Sequence, residues 1–309
     1  MSNPSSQLIL LLPERRRFSG QPISRTMASS LARADRLEQA QPGEREQLLR
    51  YFELLPRGWP MAAITRDADV GDAGQYTWLR ADPVFVRPDM HGVRLMAWGN
   101  LGLSADEAEQ LLGQLRPLFG DVGFSISAGA AHRWYVRLPR DARLPSFAAP
   151  TDALGEDILV HLPEGQEGAR WRMLLNEAQI VLHNHIRNAE RAAAGLFPVN
   201  SIWFWGGGVL PDSVKCRSAC VVSEEAELLA LARLAGVSLQ RQETGSTLID
   251  LRRERNWASL ESQHLLPAFA SLRHRHASLL LDFADGSILR AEHRQRWRLW
   301  RRPVDGLQS

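Results

Sequence analysis

The chain has 309 residues, 44% hydrophobic and 23% charged, with a formal net charge of +2. That length makes one large or two moderate folded domains, and the near balance of signs excludes a chain-wide pull toward nucleic acid or membrane. The two cysteines, Cys216 and Cys220, stand at helical spacing; they exclude a disulfide framework and leave any metal site in need of other ligands.

Residues 8–12 read as a short buried strand, with no basic segment ahead of it and too little length for a signal segment or membrane span. No other stretch is long enough to span a membrane, so a soluble, cytoplasmic protein is expected. Arg15, Arg16 and Arg17 mark an exposed turn. Residues 26–55 read as helical, with Leu48, Leu49, Phe52 and Leu55 at helix spacing, and Pro56-Arg-Gly-Trp-Pro60 stops them.

Strand-like runs follow at 76–80, 84–87 and 93–98. Ser104 and Glu107 have the spacing of a capping box ahead of a helix whose apolar face is Leu111, Leu112, Leu115 and Leu118. With strands at 122–127 and 133–138, this region forms a small α+β subdomain of β-β-α-β-β order. Residues 139–155 read as a linker or long loop.

Beyond it come strand 158–162, helix 169–195, strand 201–205, helix 224–236, strand 246–251, helix 256–272 and strand 278–283. Strands separated by helices of this length argue for an α/β fold with a mixed or mostly parallel sheet. The expected segments are 1–75, 76–139 and 156–303, with a tail at 304–309.

On the 169–195 helix, at about 100° per residue, Trp171, Leu174, Leu175, Ala178, Leu182, Ile186 and Ala189 share one arc that packs on the sheet. His185 falls in the same arc. Glu177, Asn184, Asn188 and Arg191 gather on one flank, as a solvated face or as the lining of a polar cleft. The helix leads into Asn200 and the run Ser201-Ile-Trp-Phe-Trp-Gly-Gly-Gly208, which reads as a buried strand ending in a glycine turn.

Backbone amides of Gly206, Gly207 and Gly208, together with Arg191, Asn188 and Asn200, would make a cradle for phosphate or carboxylate. The turn lacks the Lys-Ser/Thr of a nucleotide P-loop and is not a Gly-x-Gly-x-x-Gly turn, so nucleotide binding is unsupported. Asp82, Asp89 and His91 lie close together and suit a weak metal or proton-transfer site, although Asp-Pro and Pro-Asp turns explain the carboxylates equally. Neither a Gly-x-Ser-x-Gly elbow nor a cysteine signature is present. Residues 290–303 interleave arginines with Trp297 and Trp300. An edge strand with its Trp rings on the core is favoured there over a single-stranded nucleic-acid contact.

The run Leu174-Leu-Asn-Glu-Ala-Gln-Ile-Val-Leu-His-Asn-His185, then Asn188, Arg191, Gly195 and Pro198-Val-Asn-Ser-Ile-Trp-Phe-Trp-Gly-Gly-Gly208, resembles the RpfE-type regulatory protein family. Ala81-Asp-Pro83, His132-Arg-Trp-Tyr135 and Trp300-Arg-Arg-Pro303 fit the same family. More distantly, the helix and glycine stretch is similar to archaeal-type cofactor-independent phosphoglycerate mutases of the alkaline phosphatase superfamily.

That second resemblance implies a two-metal phosphoryl-transfer enzyme with an N-terminal Asp-Gly turn, a nucleophilic Ser and a late Asp-x-x-x-His segment. This chain departs from it. It begins Leu8-Ile-Leu-Leu-Leu-Pro-Glu14, has Trp205 where those proteins have Arg, and lacks the late motif around Asp282, Asp285 and His293. The resemblances imply a non-catalytic relative that binds a small anionic metabolite and needs no cofactor. A divalent metal on Asp89, His91 or His293 belongs only to the alternative of a residual phosphomutase or phosphatase.

Overall fold

The computed structural model describes residues 6–90, 92–242, 245–304 and 306–307. Among them the strands are β1 (Gln7–Leu12), β2 (Asp35–Arg36), β3 (Phe52–Leu55), β4 (Thr77–Asp89), β5 (Gly92–Trp98), β6 (Ser125–Ala130), β7 (Arg133–Leu138), β8 (Ser201–Val209), β9 (Ser213–Cys216), β10 (Cys220–Val222), β11 (Thr247–Asp250), β12 (Ser278–Phe283) and β13 (Ile288–Ala291). The architecture is mixed α/β, as the alternation of elements implied. Two compact units emerge, one from Met1–Leu55 with Ser213–Ser309 and the other from Pro56–Asp212. The expected segments 1–75, 76–139 and 156–303 cut the chain elsewhere, because periodicity along the sequence does not reveal which distant strands pair.

In the first unit a six-stranded sheet has the order β10-β11-β1-β12-β13-β2. β1 lies between β11 and β12, parallel to both, and β10 is parallel to β11. Leu8, Ile9, Leu10, Leu11 and Leu12 are all buried. A strand flanked on both edges and covered on both faces is apolar at every position, which explains the unbroken run. Phe18, Met27, Leu31, Trp257, Leu260 and Leu265 pack on this sheet to complete one core.

The expected 26–55 helix is instead a helix at Arg25–Arg33, capped by Ser24, then β2, a short helix at Glu44–Leu49, and β3 on β9. Residues 37–42 carry no apolar face to bury, and Gly43 turns the chain at φ 116°. Helix 256–272 forms, with a π turn at Glu261–Leu265 directly before Pro267. Pro267 has no N–H for a regular α-helical bond, and a wider turn accommodates it.

The 290–303 run does not form the expected edge strand. Glu292 N–H donates to Gln295 Oε1 and a 3-10 turn follows at His293–Trp297, leaving Trp297 and Trp300 exposed. Cys216 and Cys220, both free thiols, sit on β9 and β10 rather than on a helix.

In the second unit the expected strands at 76–80 and 84–87 are one long strand, β4. Asp82 and Pro83 lie inside it rather than in a turn, paired with Trp203 and Ile202 of β8. β4 also pairs with β5 and β7, and β6 flanks β7. One face of this sheet packs on the Ala105–Asp121 helix through Leu111, Leu112, Leu115 and Phe119. It also packs on the Gly165–His183 helix through Trp171, Leu174, Leu175, Ala178 and Leu182. The capping box is present: Glu107 N–H donates to Ser104 Oγ and Ser104 N–H to Glu107 Oε2.

Residues 158–162 are not a strand. Asp157 accepts from Leu159 N–H and starts a 3-10 turn that exposes Leu159 and Val160. The single helix expected at 169–195 breaks at Asn184, and a second one, Ile186–Ala193, starts with His185 as its cap. The break resets the helical phase, so Ile186 and Ala189 face solvent and not the sheet. Among the described residues no helix is long and apolar enough to cross a membrane.

Candidate functional site

In open α/β sheets ligands collect beyond the carboxyl ends of parallel strands. In the first unit those ends carry Ser223 after β10, Asp250 closing β11, and Asp282 near the end of β12. Asp250 is buried. Arg252 donates to it through Nε (2.8 Å to Oδ1), Nη2 (2.8 Å to Oδ2) and its backbone N–H, and Ser223 Oγ adds a bond of 2.9 Å. Glu44 lies 3.6 Å from Arg252 Nη1. Burial by itself would push the Asp250 carboxyl up, but the Arg252 bonds and charge hold it below the ordinary carboxylate value.

Asp282 is enclosed in the same way. It accepts from Arg50 Nη2 at 2.5 Å and Nε at 2.9 Å, and from the Tyr51 hydroxyl at 2.7 Å. Gln47 Nε2 donates to the Asp282 carbonyl at 2.6 Å. Burial first, and the adjacent Asp282 charge second, raise the Tyr51 hydroxyl above its usual range.

Both carboxylates therefore give their oxygens to an arginine fork, the strongest side-chain pairing available to them. A divalent cation would need those same lone pairs, and no group of three or more His, Cys, Asp or Glu able to hold one occurs among the described residues. The strand-end residues do not fit a metal pair. This arrangement was missed in the sequence; the signal was Asp250-Leu-Arg252, an acid and a guanidinium two apart directly after an apolar strand.

The residues expected to form an anion cradle lie in the second unit and are not brought together as one. Glu177 and Asn184 are exposed, and Asn184 Nδ2 bonds back to the Ile180 carbonyl at 2.9 Å. Asn188 is buried and saturated: it donates to the Leu182 and Val199 carbonyls and accepts from Val199 N–H. Arg191 is buried too, with its guanidinium on the Phe197 carbonyl (2.9 Å), the Leu101 carbonyl (2.5 Å) and Glu107 (3.1 Å). Asn200 accepts from Val86 N–H and donates to the Val86 carbonyl, extending the β4 ladder with a side chain.

Gly206, Gly207 and Gly208 continue β8 and form no turn. Gly206 has φ 65°, and a Cβ on Gly208 would come within 2.7 Å of Pro60 Cβ. Gly206 and Gly208 let the segment entering the Met61–Asp69 helix lie directly on the strand, and Gly207 leaves room for Leu144. That is a packing reason for their identity.

Asp89 is exposed and paired with Arg94, which, ahead of the Met90 N–H bond, holds its carboxyl below the ordinary value. His91 lies outside the described residues. His293, in the first unit, sits 2.5 Å from Arg296; slight desolvation, then the charges of Arg296 and Arg273, keep its imidazole below the usual value. These residues do not assemble a metal site.

The fold is mixed α/β, and each of its two strand-end acids, Asp250 and Asp282, is closed by an arginine. In sequence the chain is homologous to cofactor-independent phosphoglycerate mutases. It is 25% identical over 224 residues to a probable 2,3-bisphosphoglycerate-independent phosphoglycerate mutase of Geobacter sulfurreducens, a match taking in 69% of this chain and 55% of that protein. Against the 2,3-bisphosphoglycerate-independent phosphoglycerate mutase of Methanosarcina mazei it is 31% identical over 110 residues, 35% of this chain and 28% of that protein. The matched regions thus span about half of one relative and under a third of the other. A solved cofactor-independent phosphoglycerate mutase from Thermoplasma acidophilum superposes with a TM-score of 0.42 at 17% identity, over 94% of this chain and 90% of that chain. No protein-family model matches the chain.

Proposed function

We propose that this chain is a non-catalytic relative of the phosphoglycerate mutases, an RpfE-type regulatory protein that binds a small anionic metabolite in the cytoplasm. The observation that carries the reading is the closure of Asp250 by Arg252 and of Asp282 by Arg50. A carboxylate held in a bidentate arginine fork is a poor ligand for a catalytic cation. The sequence relation to the mutases supports the ancestry, and the departures at the N-terminal strand and at Trp205 support loss of turnover.

The test is a coupled assay of phosphoglycerate interconversion with manganese or magnesium, run beside a thermal-shift screen of phosphorylated and carboxylated metabolites. Background turnover together with selective stabilisation by an anion is the expected result. Metal-dependent turnover that disappears in Asp250→Asn or Asp282→Asn would instead establish the phosphomutase alternative.

A further inference from the structure

Within the first unit a groove of about 390 Å³ opens between the Arg25–Arg33 helix, the end of the Leu266–Ser271 helix and the turn after β13. That volume is in the range of small-ligand sites. Three arginines line it: Arg33, Arg273 and Arg296. Its acid, Glu292, is already engaged by Arg290 at 2.9 Å and by Arg294 at 2.7 Å, so it does not neutralise them.

Two of the three arginines are under-used by the protein itself. Arg33 Nε is buried with no hydrogen-bond partner, although a buried donor without an acceptor is costly. The exposed Arg273 guanidinium has no hydrogen-bond or ion-pair partner among the described residues. Arg296 reaches His293 Nε2 at 2.5 Å and lies over the Trp297 ring. Phe269 and Leu272 supply apolar wall in the same groove. Uncompensated positive charge beside an apolar wall is complementary to an anion that carries a hydrophobic body.

We propose that this groove is the anion site of the protein and takes a small organic phosphate, its phosphoryl oxygens on Arg33, Arg273 and Arg296 and its apolar portion against Phe269 and Leu272. A phosphoryl dianion has three terminal oxygens to share among three guanidiniums, which a carboxylate lacks. The assignment rests on the reading of the chain as an anion binder and says where on the chain that binding occurs.

Calorimetric titration of the full chain with phenyl phosphate, inorganic phosphate and benzoate tests it. Phenyl phosphate should bind at least about tenfold more tightly than either of the others, since only it combines the double charge with the apolar body. Arg273→Gln, which changes an exposed guanidinium, should weaken that binding about tenfold at an unchanged melting temperature, and Arg33→Gln should weaken it at least as much. Arg116→Gln, on an exposed pair with Glu109 in the second unit, should leave it unchanged.

Wild-type affinity that survives both Arg33→Gln and Arg273→Gln overturns the groove assignment while leaving the anion-binder reading in place. Equal affinity for inorganic and phenyl phosphate overturns the role of the apolar wall. No binding of any probe to the wild type overturns the anion-binder reading along with the groove.

Discussion

The indole Nε1 of Trp205 donates to Asp82 Oδ2 across 2.7 Å, joining β8 to the middle of β4. Asp82 also accepts from Arg80 Nε and Nη2, each at 2.8 Å, and from Trp98 Nε1 at 3.1 Å. The carboxylate is fully buried, and the Arg80 guanidinium lies over the Trp205 ring at 5.0 Å. Trp205 thus satisfies an internal charge with its one polar group.

Removing that charge should be severe. Asp82→Asn takes away the carboxylate that balances Arg80 in a dry interior and is expected to cost about 3–5 kcal/mol. Trp205→Phe keeps most of the packing and deletes one donor, at about 1–2 kcal/mol. Urea unfolding midpoints measure both, and equal shifts for the two variants would show that Asp82 is not the centre of the network.

Acid should weaken the fold. Asp250 and Asp69 are held below their ordinary values although burial opposes this, the first by Arg252 and the second by Arg133 and Tyr135. A carboxyl whose folded value is depressed adds stability above its unfolded value, about 3.9 for Asp, and that stability is lost as pH falls through the folded value. Unfolding free energy should therefore stay flat from pH 7 to about 5 and decline below about 4. Arg252→Gln should flatten part of that decline, and a wild-type protein equally stable at pH 3 and pH 7 would contradict the assignment.

Arg191 and Asn188 are expected to behave as structural residues. Arg191→Ala strips the Phe197 and Leu101 carbonyls and Glu107 of a shared donor in a buried site, for a loss of about 2–4 kcal/mol. Asn188→Ala should cost about 1–3 kcal/mol by freeing the Leu182 and Val199 backbone groups. Thermal melts report these losses, and titration with phenyl phosphate should find the remaining folded protein unaltered in affinity. An Arg191→Ala protein of normal stability that no longer bound the anion would return the ligand to this site.

At Gly208 the limit is steric. A methyl group there meets Pro60 Cβ at 2.7 Å on a backbone with φ 148°, so Gly208→Ala should destabilise by about 1–3 kcal/mol. Pro60→Gly in the same chain should recover part of the loss, read as the coupling in a double-mutant cycle of melting curves. Strict additivity would place the cost elsewhere.

Local elements were well marked in the sequence wherever one segment buries one face against whatever lies beneath it. The continuous apolar run of β1, the capping box at Ser104 and the Leu111, Leu112, Leu115 face are such cases, since propensity, capping and period are properties of a few adjacent residues. Phe119 rather than the expected Leu118 completes that face. The break at Asn184 was not legible, because a helix restarting at His185 keeps nearly the same composition while shifting its phase by a fraction of a turn. Ile186 shows the consequence: it belongs to the apolar arc by number and faces water in space.

The candidate site shows the same division more sharply. The sequence by itself established that acids, arginines and glycines of the right kinds are present, and that the N-terminal strand ends in Pro13-Glu14 without an Asp-Gly turn. Only the tertiary structure decided their use. Parallel pairing of β1 with β11 and β12 sets Asp250 and Asp282 at one sheet edge, where burial obliges each to take an arginine. Antiparallel pairing of β8 with β4 turns the glycine run into a packing surface. Asp250 and Arg252 are two residues apart, but the pairing of Arg50 with Asp282 and the approach of Pro60 to Gly208 join residues distant in the chain, which no local pattern encodes.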